Sequence, residues 1–252
     1  MRIAVALSSV LAVGLALAAP VPKVEEKLKP ATDEQRDEVK SNLKLLGLAL
    51  HNYHDAVGHF PTDILDAKTK KPLLSWRVQL LPYLDVSDPN SAESQAAQAL
   101  AVAFKLDEPW DGKTNKSLVE KMPKVFAPTR VKAKPGETFY RGFGGTGAEF
   151  AGLFQPGARV AMASITDGTS NTIALIDAGE AVVWTKPETD LPCDPKKELS
   201  KLGGMIDGDF YCLRVDGSVA TVKRQFDEKV LRAAISRAGG EVIDGKGTFD
   251  DE

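Results

Sequence analysis

Ser41-Asn-Leu-Lys-Leu-Leu-Gly-Leu-Ala-Leu-His-Asn-Tyr-His-Asp-Ala-Val-Gly-His-Phe-Pro61 is the stretch on which the reading of the fold turns. Val39, Leu43, Leu46, Leu50, Tyr53 and Val57 recur at alternating steps of four and three, so a helix places them in one apolar stripe. Leu45, Leu48 and Ala49 form a second row that widens it. Upstream, Thr32 and Gln35 have the form of a capping box, which predicts a helix start near Asp33. Gly58 supplies a left-handed stop and Pro61 bars continuation. A helix this amphipathic needs a sheet to cover its apolar face.

The remaining segments supply that sheet. Pro72–Leu84 reads as a short helix or turn under the first helix, and Ser91–Phe104 as a second helix. From Thr138 onward the chain turns to short β-prone runs at Thr138–Phe143, Arg159–Ser164, Thr172–Asp177 and Ala181–Thr185. Asp216-Gly217 splits Phe210–Lys223 into a hairpin. Asp227 caps a last helix that Gly239-Gly240 ends. Helices first and strands later predict an α+β domain with an antiparallel sheet.

The 252 residues are 43% hydrophobic and 27% charged, an ordinary globular composition. A net charge of -3, with no compact basic run, argues against a nucleic-acid partner. Residues 1–18 combine Arg2, an apolar run and Ala16-Leu-Ala18, the pattern of a secretory signal peptide; uncleaved, the same run would anchor the chain in a membrane. The expected organisation is signal peptide 1–18, linker 19–32, one domain 33–243 and a loose acidic tail 244–252. Cys193 and Cys212 are either a disulfide or two separate core residues.

Several groups invite chemistry. His51, His54 and His59 lie within nine residues, as neighbouring zinc ligands would, although the expected roles are turn hydrogen bonds and packing at the helix end. Asp167-Gly-Thr-Ser-Asn171-Thr is rich in oxygen donors for calcium, with Asp207, Asp209 and Asp216 as further donors; turn residues satisfying their own backbone give the same pattern. Trp76, Trp110 and Trp184 offer stacking faces for a carbohydrate or bulk for a core. Glu108 with Asp111, and Asp177 with Glu180, are the carboxylate pairs that a hydrolase would use. Gly142-Phe-Gly-Gly-Thr-Gly147 has dinucleotide-loop spacing but lacks a βαβ context, so it reads as a Gly-rich loop.

The series Asn42–Asp55, Gly58–Pro61, Ser75-Trp-Arg77, Leu80–Leu84, Leu106-Asp-Glu-Pro-Trp-Asp111, Met122-Pro123, Asp167–Thr172, Trp184–Pro187, Gly203-Gly204 and Asp216-Gly-Ser218 resembles a planctomycete pseudopilin-like family of unknown function, one associated with a prepilin-type N-terminal helix. The resemblance spans about Ser41 to Glu241 and implies a pilin-like plan, a long helix on an antiparallel sheet, in an exported protein. It carries no catalytic residue or cofactor. In place of the prepilin start, the chain has an ordinary signal peptide, and Ala127-Pro-Thr129 stands where the family often has Cys-Pro-Ser. The expected function is a non-enzymatic structural or interaction module of the bacterial envelope, contacting protein or envelope components. The alternatives are a carbohydrate- or calcium-dependent binding protein and an envelope-polymer hydrolase.

Overall fold

Thr32 caps the first helix as its spacing predicts: its hydroxyl accepts from Gln35 N–H while Gln35 Oε1 accepts from Thr32 N–H. In the computed structural model this helix, α1, runs Asp33–Val57 and ends on Gly58 at φ 85°. The structure describes residues 30–251 apart from 85–87, 89, 132, 145–151, 156, 193, 195, 197, 207 and 242–244. The signal peptide, most of the linker, Cys193, Asp207 and Gly145–Gly147 therefore lie outside the described residues.

Beyond α1 come β1 (Ile64–Leu65), β2 (Pro72–Leu74), α2 (Trp76–Gln79), α3 (Ala92–Ala103) and α4 (Lys113–Lys116). The sheet-bearing half holds β3 (Glu137–Arg141), β4 (Phe143–Gly144), β5 (Ile173–Val183), β6 (Leu191–Pro192), β7 (Phe210–Arg214), β8 (Val219–Val222), α5 (Glu228–Ile235) and β9 (Phe249–Asp251). Five strands form an antiparallel sheet in the order β3-β5-β7-β8-β9, which makes this an α+β fold.

Strand alternation splits the core in two. Tyr211 and Leu213 of β7 face the cluster under α1, with Val39, Leu43, Leu46 and Leu50. Phe210 and Cys212 face the other way, toward Leu231, Ala234 and Ile235 of α5. The sheet is thus covered on both faces, where the sequence pointed only to the α1 side. Gly47 lets α1 approach closely, since a Cβ there would lie 2.9 Å from a Leu213 methyl.

Several expectations are corrected, among them the end of the last helix: α5 stops at Ile235, before Gly239-Gly240. Leu45 and Leu48 do not join the apolar stripe; at 39% and 44% exposure they sit on the solvent side of α1. Val57 is likewise exposed. Arg159–Ser164 is no strand but contains a single 3₁₀ turn at Met162–Ser164. The tail is not wholly loose: Phe249 packs against the α5-side cluster and β9 pairs with β8, because Thr248 is buried and its hydroxyl accepts from Asp227 N–H. Thr172–Asp177 and Ala181–Thr185 merge into the single strand β5 through Gly179-Glu180.

Candidate functional site

Ser75, Trp76 and Arg77 build the most polar part of the interior. Ser75 caps α2 by accepting from Arg77 N–H at 3.3 Å, and the turn directs the Arg77 side chain inward, where it is wholly buried. Its Nη1 donates to Ser75 Oγ at 2.9 Å and Thr189 Oγ1 at 3.3 Å; its Nη2 donates to Tyr140 O at 3.0 Å and Asp190 Oδ1 at 3.3 Å. Burial pulls the guanidinium below its ordinary pKa, while Asp190 and Asp63 oppose that pull. The guanidinium carbon lies 4.4 Å from the Trp76 ring centroid, and that ring stacks on Phe154 at 4.2 Å.

Two carboxylates complete this buried lock. Asp190 accepts from Trp76 Nε1–H at 2.8 Å and from Gly142 N–H at 3.0 Å, besides Arg77. Asp63 accepts from Trp76 N–H at 3.0 Å and from Glu188 N–H at 2.7 Å, with Glu188 in the left-handed region at φ 56°. Burial, reinforced by Asp190, pushes the Asp63 carboxyl up to about 6. Four separated segments, around residues 63, 75–77, 140–142 and 184–190, are thereby held together. Asp63 and Asp190 carried no signal in the sequence; the one clue was an arginine inside the apolar run Leu73–Leu81.

A second junction uses the histidines. His51 Nε2 donates to Val215 O at 2.7 Å, His54 Nε2 accepts from Met162 N–H at 3.0 Å, and His59 Nδ1 donates to Phe60 O at 2.8 Å. One ring nitrogen of each histidine is thus engaged with the backbone. Val215 N–H in turn donates to Thr172 O, and Asp216 N–H to Thr169 O, so the hairpin is tied to the Asp167 loop. Among the described residues no group of three or more His, Cys, Asp or Glu is arranged to hold a metal.

The other candidates are placed as follows. Both Asp167 oxygens accept backbone N–H groups, from Gly239 at 2.7 Å and Gly240 at 2.9 Å, and Asn171 Nδ2 donates to Asp167 O at 2.9 Å. Asp216 accepts from Ser218 in its own turn, and Asp209 accepts from Arg224 N–H and Lys223. Glu108 accepts from Thr114 N–H at 2.6 Å, which holds its carboxyl below the usual range, while Asp111 is exposed. Asp177 is buried and Glu180 exposed, so the two do not face one cavity. Trp76 and Trp184 are buried, whereas Trp110 is half-buried with Lys186 Nζ 5.7 Å from its ring centroid. Cys212 is buried in β7; its possible partner Cys193 lies outside the described residues.

The surface has an apolar groove of about 240 Å³ lined by Asn42, Leu45, Leu84, Ala97, Pro123 and Val125. A neighbouring hollow of about 290 Å³ lies over Leu100 and Met122. None of the candidate catalytic or ligand residues lines either one.

Fold and site together define a class: an α+β scaffold whose conspicuous polar residues are locks between segments. Residues 36–199 match a family described as protein of unknown function (DUF1559), and the chain belongs to that family. No curated protein and no solved structure matches it.

Proposed function

We propose that this protein is an exported, non-catalytic structural or interaction module of the bacterial envelope, with a pilin-like head. The observation that carries this reading is that most of the candidate ligand residues are engaged within the fold. Asp167, Asn171, Trp76, His51, His54 and His59 each spend hydrogen-bonding capacity on the chain itself. The motifs that resemble those of the pseudopilin-like family, Ser75-Trp-Arg77, Asp167–Thr172 and Asp216-Gly-Ser218, are joints at which separate segments meet: Arg77 with Tyr140 and Asp190, Asp167 with Gly239 and Gly240, and Asp216 with Thr169. Such joints serve a rigid head, not a reaction.

Export rests on the n-region, apolar run and small-residue cleavage pattern of residues 1–18. Cell fractionation with N-terminal sequencing of the purified protein tests it. The expected mature chain begins at Ala19 in a soluble exported fraction. An intact Met1 start in the membrane fraction would overturn soluble export and favour a membrane-anchored head.

The Asp167 loop gives the calcium alternative its own test. Because the carboxylate already accepts two N–H groups, added calcium is expected to leave the Tm unchanged. A calcium-dependent rise of several degrees, reversed by chelator, would replace the structural reading with a binding one. The carbohydrate alternative narrows to Trp110, the one tryptophan with an accessible edge. It requires envelope glycan to perturb tryptophan fluorescence in the wild type and not in Trp110→Ala.

A further inference from the structure

Asp177 is a buried acid without an evident task in the locks described above. Ile176 and Ala178 on either side belong to the α5-side cluster, so strand alternation turns Asp177 toward the α1 side. Its carboxyl is fully buried; Oδ2 accepts one hydrogen bond, from Met205 N–H at 3.2 Å, and Oδ1 has no partner. An ionised carboxylate wants several donors, and one bond leaves most of its capacity unmet.

The element that closes over it is short. Lys201–Ile206 runs beside β5, bridging Leu202 to Ala178, with Gly179 N–H donating to Lys201 O and Gly203 N–H to Asp177 O. Gly203 at φ 67° and Gly204 at φ 120° then turn the chain inward. Two successive residues in this region need glycine, and a Cβ on Gly203 would also lie 3.0 Å from the Phe210 ring. The turn drops Met205 and Ile206 into the α1-side core, where both are buried.

We propose that residues 201–206 form a proton-gated strap: it stays closed while Asp177 is protonated, and swings out about Gly203-Gly204 when Asp177 ionises, withdrawing Met205 and Ile206 from the core. The reason is that water is the only relief available to the new charge. Tyr140, opposite Asp177 on β3, is a neutral phenol whose own ionisation burial and the Asp177 charge both disfavour. From α1, Asn42 donates an amide hydrogen to the Tyr140 hydroxyl, and Glu38 adds negative charge near that phenol. Lys201, on the strap, lays its stem against Gly179 and is exposed. No cation is among the influences on the Asp177 carboxyl, which burial drives up to about 7 against the single Met205 bond.

The direction follows from linkage. The closed form holds a proton that the open form releases to water: an exposed aspartate ionises near ~3.9 and the closed one at about 7, so closure is most favoured at acid pH, weakens between those values and loses nothing further above about 7. One proton per event sets a limit of tenfold in the open-to-closed ratio per pH unit. Asp63 rises to only about 6, accepts two N–H groups and has Arg77 beside it, so its lock stays shut over the same range.

Amide hydrogen exchange between pH 5.5 and 8.5, corrected for intrinsic rates, tests the strap in the full chain. Protection at Gly203 and Met205 is expected to fall up to tenfold per pH unit from pH 5.5 to about 7 and then level off, while Tyr211–Leu213 in β7 keep theirs. The Asp177 side-chain carboxyl carbon, followed by NMR in the wild type, should titrate with the same midpoint. Asp177→Asn should flatten the strap's pH dependence. Strap protection that tracks β7 throughout, or an Asp177 carboxyl that does not titrate in this range, would overturn the proposal even if the variant fails to fold.

Discussion

Arg77→Ala is expected to destabilise the fold by about 3–5 kcal/mol, because it removes one partner of a buried ion pair and strands the rest. Asp190 would keep Trp76 Nε1–H and Gly142 N–H but lose its counter-charge, and Tyr140 O would lose the donor that Arg77 Nη2 provides. Arg77→Lys should recover only a fraction of this, since an ammonium cannot reproduce a fork that reaches Ser75, Thr189, Tyr140 and Asp190 at once. Pairing Arg77→Ala with Asp190→Asn removes the stranded charge, and the double variant should fall short of additivity by about 1–3 kcal/mol. Denaturant unfolding of the four proteins measures this. Additive losses would mean that the two side chains are not coupled as their 3.3 Å separation implies.

Trp184→Ala is the second large loss, about 4–5 kcal/mol, for a different reason. The ring is completely buried at the end of β5, stacked near Phe126 and edge-on to Phe104, each at 5.7 Å. Its Nε1–H donates to Val119 O at 2.9 Å. Truncation leaves a cavity between α3, the sheet and the turns around Val119, and strands a carbonyl as well. Trp184→Phe keeps most of the volume and should cost about 1–2 kcal/mol, the contribution of the hydrogen bond and remaining volume. Thermal unfolding distinguishes the two: at ~2–4 °C per kcal/mol for a chain this long, the alanine variant should melt more than about 8 °C below the wild type. A loss as small as the phenylalanine variant's would show that the site collapses around the missing ring.

The two losses rank the interior. Arg77 holds segments together by charge and direction, Trp184 by volume, and neither lines the two grooves described above. Such residues hold the interior together, in keeping with the proposed structural role.

What was legible in the residues was local. Thr32 with Gln35, Gly58, Ser91, Asp216-Gly217 and Asp227 signal caps and turns through bonds to residues a few positions away, and each cap or turn formed where the chain predicted it. The Leu43–Leu46–Leu50 stripe is local too, since helical geometry alone aligns it. Periodicity did not reveal where that stripe ends laterally. Leu45 and Leu48 are as apolar as Leu46, and only the width of the sheet beneath α1 leaves them exposed. The same holds for β9, where pairing with β8 overrides an acidic, Gly-rich composition.

The polar interior was the least legible part, for a related reason. Arg77 meets Asp190, and Asp63 meets Glu188, across separations of more than a hundred residues, and nothing local distinguishes Asp190 from any loop acid. The residue types at His51, Asp167 and Trp76 suggested ligands because the same types serve metals, calcium and sugars. Their partners in the fold are groups of distant segments, backbone for His51 and Asp167 and the Asp190 carboxylate for Trp76, which spacing cannot encode. Sequence alone therefore determined where helices start, where turns fall and that an α+β scaffold results, because these depend on torsions and contacts a few residues apart. The tertiary structure decided which charges are buried, which leucines stay in water and which acids are left short of donors, because burial and hydrogen-bond partners exist only once remote segments have met.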